Sequence, residues 1–293
     1  MKKIIFSALF CLFMSAAYAQ HNPLQSQYML NRLVVNPAYA GADGFLSTTV
    51  SYRKQWLGFD GAPETYTFTA NTPLRNKRYN VGIIASQDNI AVLHQSQVGL
   101  IYAYRIVAKR ISFSAGFQPG ITMARNSWND VKTTTQGDAV YQSAETRVSF
   151  NMGYGLYMQS KRFFIGVSSG AKFSSSFTGD QPIILANTGY TFGDPKKVSV
   201  TISSLGRYML RGFYQADMNV ITTLRERISF GASYRHKDAV VGILQMKIND
   251  QLYLGYSYDY TLSNLNTYSS GTHEVLLRYD FYFKVNSKSP RVH

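Results

Sequence analysis

The chain has 293 residues, 45% of them apolar, with 22 Tyr, 18 Phe and 22 Gly against 8 Pro, and a formal net charge of +14. A basic excess suits nucleic acid, but no recognition-helix pattern and no basic-aromatic stacking surface accompanies it, so no nucleic-acid partner is expected. The one cysteine, Cys11, falls in the first apolar run, so a chain trimmed after that run has no disulfide, thiolate metal site or cysteine nucleophile.

Residues 1–19 read as an export signal. Lys2 and Lys3 form a basic start, Ile4 to Ala16 an apolar run too short to span a membrane comfortably, and Ala17-Tyr18-Ala19 a cleavage site, which makes Gln20 the expected mature N-terminus. Losing Lys2 and Lys3 lowers the formal charge to about +12. Residues 20–44, with Gln27-Tyr28-Met29-Leu30-Asn31 and then Asn36-Pro37-Ala38-Tyr39-Ala40-Gly41, are expected as a periplasmic or plug segment at or inside the periplasmic end of the fold that follows. Asn-Pro and Ala-Gly bracket a turn.

From residue 45 to 283 the chain alternates apolar with small or polar residues. Strands place alternate side chains on opposite faces, so each segment has a greasy face and a polar one. Fourteen strands are expected, over about 45–53, 63–72, 79–88, 95–107, 110–123, 145–159, 162–175, 181–192, 197–205, 210–223, 226–236, 238–248, 250–262 and 271–283. Val98, Leu100, Tyr102, Tyr104 and Ile106, for example, alternate with Gln97, Gly99, Ile101, Ala103 and Arg105. Behind an export signal, with aromatic strand ends, this pattern predicts an all-β fold: an antiparallel transmembrane β-barrel, greasy face to lipid and small polar face to the lumen. The eighth and ninth strands are the weakest, with Pro182 and Pro195 at their beginnings; losing both leaves 12.

The first connection carries Arg53, Gln55, Trp56, Gly58, Phe59, Gly61, Ala62 and Pro63. It is expected to fold inward as one packed unit, with Trp56 on the inner wall or against residues 28–41 and Arg53 paired to Asp259 or Glu274. Connections after odd strands are generally longer (54–62, 89–94, 124–144, 263–270), with 236–238 an exception, and those after even strands are short. The short ones are therefore assigned to the periplasm. They collect Arg75, Lys77, Arg78, Lys109, Arg110, Lys161, Arg162, Lys196, Lys197, Arg225 and Arg227. Such cations act either as anchors at the lipid headgroups or as a basic rim that docks an acidic partner. Asp259, Glu274, Arg278 and Asp280 are expected to form a lumenal charge network, and residues 284–293, basic and carrying Pro290, a flexible tail.

The segments Q-Y-M-x-N, N-P-A-Y-A-G, R-x-Q-W-x-G-F-x-G-A-P-x-T and G-Y-S-Y-D … S-G-T-H-E together resemble the PorP/SprF membrane proteins of the type IX secretion system; the last reads Gly255-Tyr256-Ser257-Tyr258-Asp259 and Ser270-Gly271-Thr272-His273-Glu274. The resemblance implies an outer-membrane barrel serving the secretion or surface attachment of large proteins. Its implied partners are periplasmic-ring or peptidoglycan-associated components, or one surface adhesin. No cofactor is expected, since neither a phosphate-binding loop nor a dinucleotide fingerprint occurs. His21, His94, His236, His273 and His293 lack metal-ligand spacing, and no G-x-S-x-G is present, so no enzymatic activity is expected. The competing class is a channel or transporter for a small or hydrophobic solute, for which a continuous open lumen would speak.

Overall fold

The computed structural model describes residues 25–75, 77–127, 144–173, 182–209, 214–267 and 269–282. The expected export signal, residues 20–24, the middle of the 124–144 connection and the expected tail lie outside them. Among the described residues the strands are β1 (Leu46–Lys54), β2 (Glu64–Pro73), β3 (Tyr79–Ile90), β4 (Leu93–Ala108), β5 (Ile111–Ser127), β6 (Ala144–Gln159), β7 (Phe163–Phe173), β8 (Ile183–Asp194), β9 (Val198–Met209), β10 (Tyr214–Leu224), β11 (Ile228–Arg235), β12 (Ala239–Lys247), β13 (Leu252–Thr261) and β14 (Thr272–Phe281).

These fourteen strands close into one antiparallel barrel, each bonded to its neighbours in sequence and β1 to β14. Closure follows from the solvent: in hydrocarbon every backbone N–H and C=O needs a partner, and only a sheet without edges supplies them all. The seam runs from Leu46↔Phe281 to Lys54↔His273. The weakly expected pair β8 and β9 is in full register from Ile183↔Met209 to Asp194↔Val198.

The faces follow the alternation. Leu100 is 62% exposed while its strand neighbour Ile101 is buried inside. Outward Val167, Phe230, Leu254 and Leu277 likewise stand against inward Ser168, Ser257, Asp259 and Glu274. The wall is uneven in height. β4, β5 and β6 have 16, 17 and 16 residues, β11 and β12 only 8 and 9. A tilted strand needs about 9–11 residues to cross, so the tall side stands clear of the bilayer. One expected loop disappears: 89–94 shrinks to the two residues between Ile90 and Leu93, which pair with each other. Ala91 takes a φ of 49° at that turn and donates its N–H to Gly61 O at 3.0 Å.

A segment of the chain itself plugs the lumen. Residues 25–44 run through it, from the external ends of β1, β13 and β14 down to the periplasmic start of β1, with two short 3-10 turns at Arg32–Val34 and Pro37–Tyr39. Leu33, Ala38 and Ala40 are fully enclosed.

Candidate functional site

The lower part of this plug is a turn pressed onto the wall. Asn36 caps it: its Oδ1 accepts from Ala38 N at 2.9 Å, while its Nδ2 donates to Leu156 O at 3.0 Å and Val167 O at 3.2 Å. One side chain thus starts the turn and fastens it to β6 and β7. Pro37 at the first turn position gives up an N–H that would have had no partner there. The turn lies so close to the wall that a Cβ on Gly116 would collide with the backbone of Pro37 and Ala38, and one on Gly155 with Asn36. Gly166 adds a third side to this seat, its Cβ position 2.8 Å from Asn36 Nδ2. Ser168 donates to Val35 O at 2.5 Å.

Two wall arginines and one of the plug's own fasten the part of it beyond residue 28. Arg105 donates to Gly41 O at 2.7 Å and Ala40 O at 3.2 Å, and its Nε to Ser114 Oγ at 3.0 Å. Arg278 donates to Asp280 and, at 3.0 Å, to Asp43, and reaches Leu30 O at 3.1 Å. Arg32 lies over the Phe164 ring at 4.1 Å and donates to Tyr157 OH at 3.1 Å. Tyr39 is buried and donates its hydroxyl to Asp43 at 2.8 Å.

The upper end is a latch. Glu274 accepts two consecutive backbone amides, Ser26 N at 2.7 Å and Gln27 N at 3.0 Å. Ser26 Oγ donates to Asp259 at 2.8 Å and accepts from Arg53 at 3.0 Å and Arg235 at 3.2 Å. Arg53 bridges Asp259 at 2.7 Å and Glu274 at 3.0 Å, and Arg235 bridges Asp259 at 3.2 Å and Asp217 at 3.3 Å. All five charged residues are at most 3% exposed. Gln27 accepts from Gln245 at 3.0 Å and Gln25 donates to Thr67 at 2.7 Å.

The expected residues fall into separate places. Asn36, Pro37, Tyr39 and Gly41 are buried in the plug, and Arg53, Gln55 and Pro63 are buried at the latch end of β1 and β2. Arg53 meets both of the carboxylates named for it. The expected single lumenal network is two: Asp259 and Glu274 belong to the latch, while Arg278 and Asp280 close on Asp43 lower down. Four residues of β14 separate Glu274 from Arg278, roughly 13 Å along a strand.

The first connection does not fold inward as a unit. Gly58, Asp60 and Gly61 are exposed, Leu57 is 39% and Phe59 48% exposed, Ala62 is partly covered and Trp56 is half-buried. Leu57 exchanges backbone hydrogen bonds with Gly271 at 2.8 Å and Ser270 at 2.7 Å, which extends the β1–β14 seam upward and carries Trp56 and Phe59 to the external rim. Positive φ at Trp56 (45°), Gly58 (96°) and Gly61 (73°) then turns the tip outward. The loop is ordered, tied also to Thr272 Oγ1 through Trp56 N at 3.2 Å.

Arg78, Lys109, Arg110, Lys161, Arg162, Lys196, Lys197, Arg225 and Arg227 are all exposed at the opposite, periplasmic end, with Asp194, Glu226 and Asp250 the acids near them. Lys77, Lys109 and Arg225 have φ of 56°, 55° and 50°. Tight hairpin turns require such angles and prefer Gly, Asn or Asp there; a side chain like lysine costs about 1–3 kcal/mol.

Sequence reasoning missed Ser26, Arg105, Asp217 and Arg235 as holders of the plug. The signal was present for the charged ones: an ionised residue at inward parity in a membrane strand needs an interior partner.

The family model for the type IX secretion system membrane protein PorP/SprF matches residues 17–279. Among curated proteins nothing matches. Among solved structures the chain is similar to the CymD monoaromatic hydrocarbon channel, at 12% identity over 89% of this chain and 94% of that one, with a TM-score of 0.50. It is also similar to the outer membrane protein Omp33 of Acinetobacter baumannii, at 12% identity over 81% and 98%, with a TM-score of 0.49. At these identities the likeness concerns the barrel fold alone.

Proposed function

Given that the chain belongs to the PorP/SprF family of type IX secretion system membrane proteins, we propose that it supports the secretion or surface attachment of large, gliding-adhesin-type proteins by binding them or their export machinery. It has an outer-membrane role in type IX secretion, and on this reading it performs that role without catalysis and without a standing pore, after signal-peptide cleavage near Ala19. The observation that carries the reading is the plugged lumen. A solute channel needs a continuous path, whereas here residues 25–44 are latched at both ends and seated on wall glycines. Hydrogen bonds and ion pairs fasten the plug to the wall at both ends, and apolar clusters such as Leu33 and Ala40 with Ile101 and Ala103 pack it between them, so this part of the lumen holds a segment of the chain itself.

The two rims are the surfaces left for partners. The external one offers an ordered loop with exposed Leu57 and Phe59. The periplasmic one offers cations at turn tips, several in a backbone conformation that charge has no local reason to occupy. Glu226 and the external Lys237 share that conformation, so it is the excess of exposed cations over acids on this rim that supports the docking of an acidic periplasmic partner, a ring or peptidoglycan-associated component. The test is co-purification in mild detergent of wild type and a variant with Lys109, Arg110, Lys161 and Arg162 changed to Glu. Partner recovery should fall several-fold at unchanged barrel yield, and wild-type recovery should fall with added salt as screening shortens to below about 8 Å. Unchanged recovery makes these residues headgroup anchors. Steady ionic conductance by the wild type, with no protein partner, would sink the reading in favour of a channel.

A further inference from the structure

The lipid-facing surface between β10 and β13 carries a trough of about 550 Å3, bordered by Val220, Thr222, Phe230, Leu244 and Tyr256. Its floor is the cross-strand pair Ala232 and Gly242. The ridges on either side are Phe230 with Leu244 below and Tyr234 with Val240 above. They are four residues apart along the strands, roughly 13 Å, which leaves room for one hydrocarbon chain.

The trough has a direction. The cross-strand row passes from Val220 through Ala232, Gly242, Tyr258 and His273 to Lys54. Ala232 lies near the middle of β11, whereas Lys54 is the last residue of β1, so the row climbs from mid-bilayer to the external rim. Its upper end is polar. Tyr256 OH lies 2.8 Å from His273 Nδ1, Tyr258 OH donates to Ser270 O at 3.0 Å, and Lys54 Nζ sits 2.7 Å from Glu64 Oε1. An imidazole and an ammonium beside a single carboxylate, at headgroup level, suit a phosphate. A hollow in a wall bathed by hydrocarbon forfeits dispersion contacts until a chain lies in it.

We propose that the trough binds one acyl chain of a phosphorylated glycolipid of the outer leaflet, the phosphate at His273 and Lys54 and the chain over Gly242 and Ala232. The row passes Tyr258 to its polar end at the external rim, which assigns the outer leaflet and not the inner one as its source. The inference rests on the barrel's outer face and not on the proposed secretion role.

The test is native mass spectrometry of protein extracted from its own outer membrane in mild detergent. Wild type should carry one glycolipid. Gly242→Trp fills the trough; a Cβ there meets nothing within 4 Å, so the wall accommodates it. Its bound fraction should drop at least tenfold, while Val240→Trp on the ridge keeps the lipid. The pair His273→Asn and Lys54→Gln, which leaves the floor intact, should drop it several-fold, and serves if the tryptophan variant fails to fold by heat-modified gel mobility. Wild type free of glycolipid, a phospholipid in its place, or a glycolipid retained in full by both the folded tryptophan variant and the head-end pair overturns the proposal, as does a bound protein that Gly242→Trp releases.

Discussion

Glu274 has no solvent exposure and five neighbours that depend on it or on its partners: Ser26, Gln27, Arg53, Asp259 and Arg235. Removing one member of a buried ion pair leaves a bare charge, which costs about 3–5 kcal/mol. Arg53→Ala should therefore lower stability by that amount in denaturant unfolding from detergent, because Glu274 loses its cation and Asp259 keeps only Arg235 of its two. Glu274→Gln should cost less, about 1–3 kcal/mol, since the amide keeps one acceptor and presents an NH2 to donors that need an oxygen. A smaller loss from Arg53→Ala than from Glu274→Gln would show that the plug amides, and not the ion pairs, hold the latch. Arg53, Asp259 and Glu274 were legible in the sequence because inward parity and nearness to one end of adjoining strands bring them together. Arg235 and Asp217 obey the same rule; they were missed because β11 and β10 give little besides parity to mark them.

At the scale of elements, the Asn-Pro turn and its glycine seat stand or fall together. Gly155→Leu should drive the turn off the wall while the barrel still closes, since the new side chain points inward at Asn36 and leaves the hydrogen-bond ladder intact. Tryptic cleavage after Arg32 is the measurement: protected in wild type, open in Gly155→Leu, and protected again in Gly170→Leu, where a Cβ meets nothing within 4 Å. Protection in all three would show that the turn has other means of staying seated. Strand positions were read closely because alternation is local. The seat was not, for Gly155 reads as relief of crowding until the turn from far upstream is known to press on it. The first connection was misjudged for a related reason. Large apolar area in Trp56 and Phe59 argues for burial, but the bonds of Leu57 to residues 270–271 decide where the loop goes, and they join opposite ends of the chain.

For the whole molecule the governing fact is that inside and outside are reversed relative to a soluble barrel. Phe230→Arg or Leu254→Arg should impair assembly by about 2–4 kcal/mol near the midplane, read by heat-modified mobility. Ser229→Arg should be tolerated better, and Gly255→Ala should act through crowding against Gln27, 3.0 Å from its Cβ position. Equal tolerance of arginine at Phe230 and Ser229 would refute the assignment of faces. Charge is distributed as unevenly as wall height, with cations gathered on the periplasmic turns and the tall side standing outward over β4 to β6. The latch has a bearing on how such a molecule is made. Arg53 and Glu274 are register partners in the β1–β14 seam, and Glu274 also grips residues 26 and 27. The first described residues and the last strand therefore find their places in one event. Until β14 arrives, residues 26 and 27 lack the carboxylate that accepts their amides and Arg53 lacks Glu274, so a nascent barrel that closes without its segment leaves Glu274 without the amides it grips. Closure thus serves as its own inspection: a chain ending before Thr272 should expose Arg32 to trypsin throughout, and the full chain only until its seam has sealed.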